Sequence, residues 1–185
     1  FGLTDSDLTK LVLALKPSDR RYWVRLLPPD DIADLIQSAP PEERDALLGL
    51  LDERTRHEVN ALLAYAEDEA GGLMNPRYAR VRPDMTIDEA ISYLRKLARQ
   101  NLGTFSYAYG LDEQQRLLGV ISLRELFASG GERKVRDAMQ TGVVTLQENV
   151  DQETVSRVFA ETDLVAIPVV DADGRMKGIV TVDDV

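Results

Sequence analysis

The sequence contains no cysteine and a single histidine, His57. Disulfides, thiolate zinc sites and cysteine nucleophiles are therefore excluded, and so is any site that needs two imidazoles. Aromatic residues make up only 6% of the chain, and basic residues are outnumbered, 22 Lys and Arg against 32 Asp and Glu. A net charge of −10 argues against nucleic-acid binding, which needs a basic footprint to displace counterions, and it leaves cation binding open. No apolar run approaches the roughly 20 residues of a membrane span, and no signal peptide opens the chain. No nucleophile has a partner base within a recognisable pattern, so the chain reads as a non-enzyme.

What is present is a chain of 185 residues with 44% hydrophobic content, enough to bury a core. Up to about residue 65 it reads as short helices punctuated by proline, at Pro17, Pro28-Pro29 and Pro40-Pro41. Each break leads into Ser18-Asp19, Asp30-Asp31 or Glu42-Glu43, and acids in a first turn complement the helix dipole. Leu8, Leu11, Val12 and Leu15 recur at helical spacing. Helices this short are unstable alone, so they must stack into a small array. Trp23, beside Tyr22, reads as a packing anchor there, and His57 as an exposed residue of a longer helix opened by Asp52.

From residue 67 the period changes. Residues 78–81, 104–111 and 117–122 are strand-like, and Ile87, Ala90, Ile91, Leu94 and Leu97 mark one face of a helix between the first two. The order then repeats, with strands at 143–146, 165–170 and 176–181 and a helix at 152–160. Asp112, Arg116, Gly119 and Ser122 match Asp171, Arg175, Gly178 and Thr181 at one constant offset, and Met74 and Met139 each precede a first strand. Both methionines read as core filler, and Tyr107 and Tyr109 as packing residues of a strand. The fold class is thus α+β: a small all-α helical array, then tandem β-α-β-β-α repeats.

Two such copies, ending Gly119-Val120-Ile121-Ser122-Leu123-Arg124-Glu125 and Gly178-Ile179-Val180-Thr181-Val182-Asp183-Asp184, resemble a pair of CBS domains. The junction Glu67-Asp68-Glu69-Ala70-Gly71-Gly72-Leu73-Met74-Asn75-Pro76 resembles the start of the CBS pair in MgtE magnesium transporters, and residues 52–59 resemble that family's linker helix. The resemblance implies three parts: a partial helical N domain over residues 1–66, a first CBS domain over 67–130, and a second over 131–185 with its last helix cut short. It also implies further N-domain helices before Phe1 and a membrane pore domain beyond Val185, so that this region would lie soluble at the cytoplasmic face of the membrane.

Acidity is concentrated at the two ends. Residues 1–66 carry 12 acids against 8 bases and residues 151–185 carry 8 against 3, whereas residues 67–150 are nearly balanced at 12 against 11. Asp30 and Asp34 share a helical face. On spacing alone, Asp30-Asp31 reads as a helix cap and Asp34 as a solvated face. The resemblance instead implies regulatory Mg²⁺ shared between the N domain and the CBS pair, with Asp30, Asp34, Asp163 and Asp184 as ligands. Asp183, Glu67, Asp68 and Glu69 read first as surface charge or caps. Thr181 and Asp184 also fit a CBS nucleotide motif, hydroxyl to phosphate and carboxylate to ribose, or equally a capping box. At Ser122 and Glu125 the capping box is the favoured reading. Asp184 cannot readily serve Mg²⁺ and a ribose together.

The expected function is a cytosolic Mg²⁺-sensing region that closes on the ion, dimerises through its CBS pair and acts on its own pore domain. An adenine-nucleotide-sensing CBS module and a soluble helical-array interaction protein are the alternatives.

Overall fold

Proline sets where the first helices begin. In this computed structural model, which describes residues 5–100 and 106–185, α1 (Asp5–Ala14) is followed by α2 (Pro17–Val24), α3 (Pro29–Ser38) and α4 (Pro41–Gly49). Pro17, Pro29 and Pro41 each occupy a first helical position, where a missing N–H costs nothing. Helix α5 (Glu53–Leu62) starts at Asp52, whose carboxylate accepts the Thr55 amide and hydroxyl, each at 3.0 Å.

Helix α3 is the centre of the array. It packs on α1 and α5 and buries Ile32, Ala33, Leu35 and Ile36. Full burial of one such large aliphatic side chain stabilises by about 1.5–3 kcal/mol. Trp23 departs from the anchor role expected of it, being 53% exposed, with Tyr22 also exposed and meeting it edge-on at 6.2 Å. Helix α2 has one inward apolar position, filled by Val24, and the aromatic pair falls on the outer face. His57 is exposed, as the sequence implies.

The repeats follow the expected order. The first runs α6 (Ala70–Leu73), β1 (Ala79–Val81), α7 (Ile87–Leu97), β2 (Tyr107–Leu111), β3 (Leu117–Ser122) and α8 (Leu123–Ala128). The second runs α9 (Val135–Ala138), β4 (Leu146–Gln147), α10 (Gln152–Thr162), β5 (Ala166–Val170) and β6 (Met176–Thr181), then a 3-10 turn, Val182–Asp184. Part of the strand expected at 104–111 lies outside the described residues; the rest is β2. Of the strand expected at 143–146, only Leu146 pairs, together with Gln147. Each sheet has three strands, the first pair parallel and the second antiparallel, and both are irregular at matching places, Gly110/Leu111 and Val169/Val170.

The two repeats interlock. Asn75 exchanges backbone hydrogen bonds with Ile179 at 2.7 and 3.0 Å, and Gln140 does the same with Val120 at 2.8 and 2.9 Å. Met74 thereby packs on Gly178 and Met139 on Gly119, where any Cβ would meet the partner sulfur below 3 Å. Between the sheets lies an apolar cluster that includes Tyr78, Tyr109, Met176 and Ile179, with the Tyr78 hydroxyl donating to the Met176 carbonyl at 3.1 Å. The helical array does not stand apart. Ile32, Leu35, Val59 and Leu62 form one continuous apolar cluster with Met74, Val155, Phe159 and Val180, whereas the first repeat keeps its own core around Ile87, Ile121 and Leu126.

Candidate functional site

That shared core brings the two acidic ends of the chain together. Helix α3 begins after Pro28, which is its N-cap, so Asp30 and Asp31 lie inside the first turn and make no side-chain cap. The capping reading of this pair is therefore corrected. A proline at both N-cap and first position moves the acids inward, and Asp30 is buried with a relative exposure of 8%. Its Oδ1 has no hydrogen-bond partner. Burial, with repulsion from Asp184 and then Asp31, raises its pKa to about 7, against a smaller opposing pull from the amides of Asp30 and Asp31.

Asp184 reaches the seam from the turn after β6. Its pKa is raised, mainly by burial. Its Oδ2 accepts the Thr181 amide at 2.9 Å and lies 2.6 Å from the Thr181 hydroxyl, which is also 2.7 Å from Asp183 Oδ1. Thr181 and Asp184 are thus joined in a capping-box arrangement. At the matching place in the first repeat, Glu125 accepts the Ser122 amide at 2.9 Å and Gln140 Nε2 at 2.6 Å.

A cavity of about 300 Å³ opens on the seam. Asp34, one turn along α3 from Asp30, lines it with Asp184, Glu67 and Asp68. Glu67 and Asp68 come from the linker, which the Gln152 amide holds by donating to the Asp68 carbonyl at 2.7 Å. On sequence alone this linker pair reads first as surface charge or caps; the pairing of Glu69 with Asp151 that brings it here is a non-local contact no local pattern announces. Neither Asp30 nor Asp163 is in the cavity lining. Asp163 ends α10 as an exposed left-handed residue, φ 52°.

The donor set is hard oxygen throughout, which suits Mg²⁺ or Ca²⁺ and not a soft metal. Among the described residues, no three Asp, Glu or His side chains are grouped closely enough to cage an ion. Mg²⁺ keeps several waters and needs only one or two carboxylates, so a buried, unpartnered Asp30 oxygen beside Asp184 fits it. No helix among the described residues is long and apolar enough to cross a membrane.

The model of the MgtE intracellular N domain matches residues 2–68, and that of the CBS domain matches 70–130 and 135–185. The chain belongs to the MgtE family. It is 46% identical over 159 residues to the magnesium transporter MgtE of Thermus thermophilus, covering 84% of this chain and 35% of that protein. Against the magnesium transporter MgtE of Bacillus subtilis it is 33% identical over 96% of the chain and 37% of the relative. The chain therefore spans about a third of the length of these MgtE relatives. The crystal structure of the cytosolic domain of the Mg²⁺ channel MgtE in complex with ATP superposes with a TM-score of 0.94 at 42% identity, over 99% of this chain and 75% of that one. The helical N domain followed by tandem CBS domains is thus the MgtE cytosolic architecture.

Proposed function

We propose that this chain is the cytosolic Mg²⁺-sensing region of an MgtE-type Mg²⁺ channel, placed at the cytoplasmic face of the membrane. The observation that carries the reading is the buried Asp30 carboxyl facing Asp184 across the seam between the N domain and the second CBS repeat, with one oxygen unpartnered. Asp30, Asp34 and Asp184 would each offer a carboxylate, one or two to any one hydrated ion, with Glu67 and Asp68 adding negative charge around them. Bound Mg²⁺ would supply two positive charges to a seam whose carboxylates otherwise repel one another. Without it, Asp30, Asp34 and Asp184 favour separation of the N domain from the second repeat; with it, the apposed faces stay closed and the pore domain is held shut.

The energetics ask little of each ion. Moving such an equilibrium from 1:99 to 99:1 takes about 5.5 kcal/mol. A weak site at tenfold saturation that binds only the closed state supplies about 1.4 kcal/mol. About four weak sites therefore suffice, and the response would be steep in free Mg²⁺. Calorimetric titration of the chain with MgCl₂ tests the assignment. Asp34→Asn and Asp184→Asn should each weaken binding, and unchanged binding in both would remove these residues from the site.

The same reading includes a C2 homodimer through the CBS pair. It is supported by an apolar groove between α7 and α8, lined by Ile91, Leu94, Leu123 and Phe127, the last 66% exposed.

A second reading, adenine-nucleotide sensing, is favoured by the ATP complex of the 42% identical relative. Thr181 and Asp184 are the residues assigned to it. Their mutual hydrogen bond would have to open for a phosphate and a ribose to enter, and ion and ribose would compete for Asp184. ATP titration without Mg²⁺, on the chain and on Thr181→Val, separates this reading from the first.

A further inference from the structure

A second cavity, of about 580 Å³, lies between the helical domain and the first CBS repeat. Its walls come from α5, the end of α2, the segment leading into β1, and α7. Its charge is opposite to that of the seam. Arg25, Arg54, Arg77 and Arg80 line it, against two carboxylates, Asp52 and Glu58, a local balance of +2 in a chain of net −10.

The carboxylates are already engaged. Asp52 caps α5 through Thr55. Glu58 Oε2 accepts Arg77 Nε at 2.9 Å and lies 2.8 Å from its Nη2, which also donates to Thr55 Oγ1 at 2.9 Å. Arg77 thus builds the floor of the cleft. The other three guanidiniums keep donors in hand. Arg25 Nε donates to the Leu50 carbonyl at 2.9 Å, Arg54 Nε to Glu58 Oε1 at 3.2 Å, and Arg80 Nη1 to Gln115 at 3.3 Å while its guanidinium covers the Tyr78 ring at 4.8 Å. Each commits one N–H of the five a guanidinium carries.

We propose that this cleft binds a multivalent phosphate anion, an oligophosphate chain, and that the bound anion ties the helical domain to the first CBS repeat. Guanidinium forks match phosphate oxygens two at a time, and several forks along one cleft favour an anion with several phosphoryl groups over a lone carboxylate. Low-dielectric walls focus the local positive field despite the negative total. The volume is within the range of small-molecule sites. The seam and this cleft then join the N domain to opposite repeats, one through a cation and the other through an anion.

The test is calorimetric titration of the chain with sodium tripolyphosphate in chelator, without divalent cations, so that its outcome is independent of the Mg²⁺ reading. Saturable binding is expected, weakened in Arg25→Gln/Arg54→Gln/Arg80→Gln by about tenfold for each guanidinium removed. The single variant Arg54→Gln, at a side chain 76% exposed, gives the same readout with the fold undisturbed. ATP displacing tripolyphosphate would identify a nucleotide's phosphate chain as a source; ATP failing to displace it would point to inorganic polyphosphate. Absence of tripolyphosphate binding, or binding equal in the chain and both variants, overturns the proposal.

Discussion

Burial, and then the charge of Asp184 in the turn after the last strand, raise the pKa of Asp30, in the first turn of α3, across the seam between the helical domain and the second CBS repeat. These residues are 154 positions apart in sequence, and their proximity follows from a shared apolar core rather than from any local motif. Two carboxylates held together by hydrophobic packing make a seam whose stability depends on what neutralises it.

A proton can do so. The folded-state pKa of Asp30, about 7, lies above its ordinary value of 3.8, so the folded chain holds this proton more tightly than the unfolded chain. The stabilisation is complete below the ordinary value and is lost as pH rises through 7. In chelator, urea midpoints should therefore fall between pH 5 and pH 8 more in the chain than in Asp30→Asn. Only the part of the titration between pH 5 and about 7 falls in this window, about two pH units at 1.36 kcal/mol each, so the difference is at most on the order of 3 kcal/mol. Equal pH dependence in both proteins would show that Asp30 is not the titrating group.

Interlocking of the repeats predicts that Gly119→Ala and Gly178→Ala destabilise. A Cβ at Gly119 would lie 2.7 Å from the Gln140 carbonyl oxygen, and one at Gly178 2.8 Å from that of Asn75. Both obstacles are backbone, so relief requires shifting a hydrogen-bonded segment, at a cost of about 1–3 kcal/mol in urea unfolding. Wild-type midpoints in both variants would refute the crossing of the methionine segments.

Tyr65 joins the end of the helical domain to the second repeat, its hydroxyl donating to Glu148 Oε2 at 2.7 Å. Partial burial and the Glu148 carboxylate push its pKa up to about 12, so the bond persists throughout the neutral range. Tyr65→Phe should cost about 1–2 kcal/mol, because the partner is charged and the contact half-buried. Urea unfolding at pH 7 measures it.

Phe127 presents most of its ring to solvent on α8. Phe127→Asp should convert a dimer to a monomer in sedimentation while leaving the far-UV circular dichroism spectrum unchanged, as expected of a residue outside the core. A wild-type chain already monomeric, or a variant still dimeric, would place the interface elsewhere.

Local chemistry is what the sequence made legible. Proline at three first helical positions, the Ser122–Glu125 capping box and the Asp171–Gly174 turn all take the form their residues imply. The repeat even supplies its own exception: the left-handed position filled by Gly174 is filled in the first copy by Gln115, at φ 64°. What was not legible depends on contacts across domains. Trp23 has the composition of an anchor, but α2 turns it outward. Asp30 has the spacing of a cap, but the second proline moves it into a buried seam. Met74 and Met139 were readable as core residues, but not as residues that pack on each other's repeat.

Small-angle scattering of the chain in chelator and then in millimolar Mg²⁺, at matched ionic strength, tests the central claim most directly. The account predicts a smaller radius of gyration in Mg²⁺ at unchanged molecular mass, with the contraction reduced in Asp34→Asn. An unchanged radius of gyration would contradict a switch in which the helical domain closes on the second CBS repeat.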